Sequence, residues 1–279
     1  MKIGEALRFE RKKLCLSQQQ MCEGIISRPH YAKVENGEYI ISSDNLFKIL
    51  LKNEVDIVEF YNLIQDTSDS KENKINKFLQ QEMDNAVNTK NIKQLEILRK
   101  KILFLSNNEI LKLRAIVTVA YFKGEVNELD DALKVKIKNN FDESNHWTER
   151  PELLRLFTNT LPLWSQEELE FFISRLLIKA NENNLSELML ERYLRTFLNY
   201  LAVSYDRHVY GNNEISYNNH IDEVIDYIFN NTTSFHMMIY RIVAIYMNAL
   251  FKNNGTQSKE IREDMKKYGY EKFIANWPE

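Results

Sequence analysis

At 279 residues the chain has room for a small domain and a larger one, and its 44% hydrophobic and 11% aromatic content excludes a chain disordered as a whole. Seven glycines and four prolines are too few for a sheet-rich fold, which needs many turns. A net charge of −3 excludes binding to nucleic acid by bulk charge, though a DNA-binding domain needs only a local basic face, because phosphate attraction is screened over roughly 8–10 Å.

The predicted elements are all helical. Ile3, Leu7 and Leu14 line one side of a first helix that also carries Arg8, Arg11, Lys12 and Lys13. Ser17 is an N-cap, Met21 and Cys22 are the inward residues of a short second helix, and Gly24 permits the positive φ that ends it. Ser27 caps a third helix with Pro29 in its first turn, where a missing N–H costs nothing. Tyr31 and Val34 form its inward face, and Asn36-Gly37 stops it. Ser42-Ser43 caps a fourth helix bearing Leu46, Phe47, Ile49, Leu50 and Leu51, and a fifth spans Val55 to Ile64. The second and third of these form a helix-turn-helix, a unit that places its second helix in the DNA major groove.

That geometry nominates DNA-reading residues. Arg28 is placed to reach a guanine edge, and Lys33, about one and a half turns later, a base or the flanking backbone. His30 and Asn36 are further candidates, and Gln18, beside the start of the second helix, is expected to hold phosphate with that helix's amides. Arg11 and Glu35 are expected to pair with each other across the first and third helices, a structural role. The domain is near neutral, which predicts modest non-specific affinity and reliance on a dimer.

Residues 1–65 are therefore read as the helix-turn-helix domain, the polar segment 66–73 as a linker, and residues 74–279 as a ligand-binding and dimerisation domain. This last part shows helical periodicity in about ten runs, read as antiparallel pairs: 72–90 with 92–105, 107–123 with 126–140, 149–160 with 165–183, 185–210 with 214–230, and 233–253 with 257–274. Asparagine pairs at 107–108, 139–140, 183–184, 212–213, 230–231 and 253–254 are read as helix stops, since asparagine tolerates the left-handed conformation. The result is an all-α fold in which a five-helix domain precedes a degenerate helical repeat of tetratricopeptide type, with a plain bundle as the alternative.

In that second domain Arg155 with Asn159 and Arg195 with Asn199 share an Arg-x-x-x-Asn spacing, which places both side chains on one face. Arg241 and Asn248, with Ala244 between them, form a third such spot. Asparagine amides bond an extended peptide backbone and arginines hold carboxylates, so these six are candidate peptide-binding residues; helix bridging is the plainer reading of each. The five histidines lack metal spacing, no phosphate loop or nucleophile motif is present, and no cofactor, metal or catalytic activity is expected. Cys22 reads as a packing residue and Cys15 as partly exposed. No apolar run approaches the length of about 18 residues that spans a membrane, which predicts a cytoplasmic protein. Trp147, Trp164 and Trp277, with Phe171 and Phe172, read as packing residues.

The stretch Ile3-Gly4-x-x-Leu7-Arg8-x-x-Arg11, then Leu16-Ser17-Gln18, then Ser27 to Gly37 ending in Val34-Glu35-Asn36-Gly37, resembles the repressor-type (XRE) helix-turn-helix. Ile41-Ser42, Leu46-x-x-Ile49-Leu50 and Val55-x-x-x-Glu59-Phe60 are similar to the Rgg/GadR/MutR regulators, as is Asn159-Thr160-Leu161-Pro162-Leu163-Trp164-Ser165 with Glu168-Leu169. Pro29 and Ala32 depart from the commoner pattern, where serine is usual, which bears on base preference. The resemblance implies a homodimeric transcription regulator on an inverted repeat of double-stranded DNA, controlled by a short signalling peptide in the groove of the repeat domain, with RNA polymerase as a further candidate partner. The rival reading is a protein-sequestering adaptor whose N-terminal domain does not read DNA.

Overall fold

The computed structural model describes residues 1–68, 71–142, 146–182, 185–210, 220–275 and 277–278, and every described element is a helix or a turn. The chain divides into two compact units, Met1–Phe78 and Leu79–Glu279.

The first unit holds α1 (Ile3–Lys13), α2 (Gln18–Cys22), α3 (Arg28–Glu35), α4 (Ser43–Lys52), α5 (Ile57–Ser68) and the first turns of α6 (Lys71–Asn88). The polar segment 66–73, expected to be a linker, is occupied by the end of α5 and the start of α6, with residues 69 and 70 outside the described part. The core includes Ala6, Leu7, Met21, Cys22, Tyr31, Val34, Ile49, Leu50 and Phe60, two residues from each of α1 to α4 and one from α5. Each such Leu, Met or Phe stabilises the unit by about 1.5–3 kcal/mol through area removed from water.

Local caps set the turns. Ser17 accepts from the Gln20 amide while the Gln20 side chain bonds back to the Ser17 amide, a capping box that starts α2. Ser42 starts α4 by accepting from the Asn45 amide. Ser27 occupies the N-cap position of α3 with extended backbone but makes no side-chain cap bond. Gly4 lets α1 and α3 touch at backbone distance, since a Cβ there would lie 1.9 Å from the Val34 carbonyl oxygen.

The second unit continues α6 and adds α7 (Ile92–Leu103), α8 (Glu109–Lys123), α9 (Asp131–Asp142), α10 (Pro151–Thr160), α11 (Gln166–Ala180), α12 (Glu187–Tyr210), α13 (Ile221–Asn231), α14 (Met238–Phe251), α15 (Gly255–Lys267) and α16 (Glu271–Ile274). Of the expected consecutive pairs, α14 lies against α15 and, less extensively, α12 against α13, but much of the packing runs between alternate helices: α8 lies against α10, α10 against α12 and α12 against α14. These four form one layer, with α7 beside α8. The other side of the layer receives α11, α13 and α15, while α9 adds Ile137 and Phe141 to the core. Tyr121 near the end of α8 donates to Asp206 near the end of α12, which brings the C-terminal parts of these two helices together.

At the centre lie Phe141, Trp147, Phe157, Trp164 and Phe172, with ring centroids 4.8–6.2 Å apart. Trp147 and Trp164 are thus core residues, and Trp277 packs on Tyr246 at 4.7 Å. The segment Leu161-Pro162-Leu163-Trp164-Ser165 is a single helical turn followed by the N-cap of α11, where Ser165 and Glu168 form a capping box. Arg207 of α12 holds this corner by donating to the carbonyls of Leu161, Pro162 and Trp164.

The asparagine pairs divide. Asn230-Asn231 ends α13, and Asn253, at φ 52°, closes α14. Asn108 instead starts a helix: at φ 67° it is the N-cap of α8 and accepts from the Leu111 amide. Asn139-Asn140 lies inside α9, and the pairs at 183–184 and 212–213 lie outside the described residues. No helix among the described residues is long and apolar enough to cross a membrane.

Candidate functional site

Two sites emerge, one in each unit. In the first, α2 and α3 meet at the tight turn through Gly24, and α3 offers Arg28, Pro29 and Lys33 to solvent. Arg28 is its first residue, is exposed, and has no ion pair among the described residues. Lys33 is exposed with its Nζ 4.8 Å above the Tyr39 ring, and His30 meets the same ring edge-on at 5.7 Å. His30 Nε2 is buried without a partner. Tyr39 thus braces two candidate DNA-facing side chains, a role its position beyond Gly37 did not advertise.

Behind that face stands a closed ionic knot. Glu35 is fully buried and accepts from Arg11 Nε at 2.6 Å and Arg11 Nη2 at 3.0 Å. Arg11 also donates to the Leu16 carbonyl, so the expected pair is present and ties α1 both to α3 and to the entry of α2. Burial pushes the Glu35 carboxyl up, but the bonds from Arg11 and Gln18 outweigh it and hold it below the usual range. Gln18, expected on phosphate, spends its amide on Glu35 at 3.0 Å, because the N-terminal residue of α2 faces that carboxylate. Asn36 is also engaged: Arg8 donates to its carbonyl and its amide donates to Glu38 at 3.3 Å, which joins it to α1 rather than to an open face.

The second site is an open cleft of about 270 Å³ at the N-terminal ends of α8, α10 and α12. Asn108, Ile110, Leu111 and Arg114 line it from α8, Pro151, Glu152 and Arg155 from α10, Arg192 from α12 and Gln80 from α6. The N-termini of α8 and α10 and three guanidiniums make it electropositive. Its one carboxylate, Glu152, is already bonded to Arg150 at 2.8 Å.

Arg114 is the buried member, 11% exposed, and its Nε donates to Asn159 at 2.8 Å. Burial lowers its pKa, opposed by Asp84 and assisted by Arg155. Asp84 of α6 stands 3.7 Å from Arg114 Nη2. The surrounding walls push its carboxyl above the usual range, against the pull of Arg114, Arg155 and Arg195. Arg155 lines the cleft and Asn159 orients Arg114, so the first Arg-x-x-x-Asn pair is gathered at one place.

The other two pairs are held differently. Arg195 donates to the Tyr240 hydroxyl at 3.1 Å and lies 3.7 Å from Glu191, bridging α12 and α14, while the Asn199 amide caps the Arg195 carbonyl of its own helix. Arg241 turns to α13, donating to the Phe229 carbonyl at 2.8 Å with its guanidinium 5.2 Å over the Phe229 ring. A carbonyl and an aromatic face thus engage part of the group expected to meet a ligand. Asn248 is half-buried on α14 and does not line the cleft. Arg114, Arg192 and Asp84 escaped the sequence reading, although Arg114 carried a signal: a lone charge within the largely apolar run from Leu113 to Ala120 demands a polar destination.

The family described as Helix-turn-helix (HTH_3) matches residues 7–60. No curated protein matches the chain. Among solved structures, a candidate transcriptional regulator from Listeria monocytogenes EGD-e has a TM-score of 0.72 at 21% identity, covering 96% of this chain and 92% of its own. The SHP pheromone receptor Rgg2 of Streptococcus dysgalactiae has a TM-score of 0.70 at 14% identity, covering 98% of both chains. PrgX in complex with cCF10 has a TM-score of 0.66 at 17% identity, covering 97% of this chain and 88% of its own. Residues 7–60 are thus a helix-turn-helix domain, and the chain shares over nearly its whole length the all-helical fold of Rgg2 and PrgX.

Proposed function

We propose that the protein is a sequence-specific DNA-binding transcription regulator, dimeric on an inverted repeat and controlled by a short peptide bound in the second unit. One observation carries this reading: a single chain joins a helix-turn-helix presenting an unpaired Arg28 and an exposed Lys33 to a helical-repeat unit with an arginine-lined cleft. The likeness to a pheromone receptor and to a regulator in complex with cCF10 supports the peptide. Arg28 reads a guanine edge, Lys33 braced on Tyr39 meets the backbone, and a dimer places two α3 helices about 34 Å apart in successive major grooves. Peptide binding acts by differential affinity for two arrangements of the repeat helices.

Arg28 sits at the surface, so Arg28→Ala is expected to abolish the footprint on DNA beside the protein's own gene while dimer mass and helicity stay unchanged. A retained footprint removes Arg28 from the reading helix. The near-neutral first unit favours one other reading, an adaptor that sequesters another protein. Binding to an intergenic fragment with a linear dependence on log salt supports the regulator, and absence of any slope supports the adaptor.

A further inference from the structure

A mismatch of charges in the cleft carries an inference that rests on the peptide reading above. Arg155 and Arg192 line it without a carboxylate bonded to either among the described residues, while Arg114 spends only its Nε, on Asn159. The neighbouring acids are engaged elsewhere: Glu152 with Arg150, and Glu191 with Arg195 and the Tyr240 hydroxyl. One carboxylate remains, that of Asp84, 57% exposed and 3.7 Å from Arg114, beyond hydrogen-bond length. A guanidinium fork normally holds a carboxylate by two bonds of about 2.7–2.9 Å, so Asp84 occupies the position without consuming its capacity.

We propose that Asp84 is an internal stand-in for an anionic group of the ligand, which displaces it from Arg114 and is held by Arg155 and Arg192 as well. The ligand is therefore a peptide that brings a carboxylate to this end of the groove, either its C-terminus or an acidic side chain. Three like charges converge on one cleft, so an added anion relieves their repulsion, and a neutral peptide gains nothing there. Displacement leaves Asp84 without its partner. Its helix α6 then keeps the apolar packing of Leu79, Met83 and Ala86 but loses an ionic contact with α8, which makes the anchoring event a signal as well as a recognition step.

Short random peptide libraries panned on the full-length protein test this. One library has free C-termini and lacks Asp and Glu, a second is amidated and contains them, and a third is amidated and lacks them. Enrichment from the first identifies the C-terminus as the anion and enrichment from the second an acidic side chain, whereas the third yields nothing. Peptides so enriched are expected to be lost by Arg155→Ala and Arg192→Ala and to bind Asp84→Asn about tenfold more tightly than the unaltered protein. Enrichment from the third library, or equal affinity of Asp84→Asn and the unaltered protein, overturns the stand-in while peptide binding survives. No enrichment from any library overturns both.

Discussion

Glu35 is a carboxylate that sees no water and three nitrogen donors, and its ionisation sets the strength of the polar bonds between α1, α2 and α3. Its carboxyl is held below the ordinary value of 4.5, so its stabilisation is fully present above that value and is lost as pH falls through the lower folded-state pKa. Hydrogen exchange of the α1 and α3 amides should accelerate as pH falls below about 4.5, beyond the intrinsic pH trend. Glu35→Gln leaves the Arg11 charge facing a neutral amide in a buried site and is expected to cost about 3 kcal/mol and to remove that acid step. An unaltered acid step in Glu35→Gln would assign it to another carboxylate. The pairing of Arg11 with Glu35 was legible because the helix registers oppose the two side chains. The diversion of Gln18 was not, since it depends on the angle at which α2 enters, which no local pattern encodes.

At the scale of elements the chain closes helices in a way its composition disguises. Cys15, Glu54, Lys90 and Asn253 take the left-handed conformation that Gly37, Gly124 and Gly269 take at other helix ends, with the same pair of carbonyl contacts back into the last turn. A reading that looks for glycine or asparagine finds only part of them, and although most helices were legible from apolar period to within a few residues, the run read as 257–274 divides at Gly269 into α15 and α16. Tertiary packing meets the cost of about 1 kcal/mol at each non-glycine position, which is why no sequence signal marks it. Asn108 shows the two contributions separately, because it is both left-handed and a cap. Asn108→Ala forfeits both and is expected to cost about 2 kcal/mol in denaturant unfolding of the second unit, whereas Asn108→Gly keeps the backbone and costs about half of that. Equal losses would mean that the side-chain cap alone matters. The α1–α3 approach admits a starker test. Gly4→Ala drives a methyl into the Val34 carbonyl, so the first unit should lose about 1–3 kcal/mol by the same hydrogen-exchange measurement, while amides of α10 and α12 keep their protection.

Across the whole molecule, charge accounting decides how much DNA affinity this chain has to offer. The basic residues of the first unit are largely neutralised at home: Lys13 lies near Glu10 and Glu59, Lys48 binds Asp44, Lys52 lies near Glu23, and Arg8 and Arg11 share Glu35. Arg28 and Lys33, both on α3, have no such partner among the described residues, and nor do Lys2 and the α1 residue Lys12, so the reading helix supplies part of the charge available to phosphate. This explains how a chain of net charge −3 can carry a DNA-facing surface, and it separates the two residues by what they contribute. A phosphate contact adds to the salt dependence without sequence preference, whereas a base contact adds preference. Lys33→Ala should therefore weaken operator and non-operator DNA alike and flatten the slope of log affinity against log salt by about 0.9 per protomer, or about 1.8 for a dimer. Arg28→Ala should leave most of that slope in place and cost about 1–3 kcal/mol of preference at one base pair of each half-site, measured by competition with point-substituted operators. If Lys33→Ala instead changes the preferred base and Arg28→Ala only the slope, the two roles are exchanged and α3 lies in the groove with its C-terminal half inward. The first assignment is the expected one because Lys33 lies over Tyr39 at the C-terminal half of α3, while Arg28 at its tip has no ion pair among the described residues.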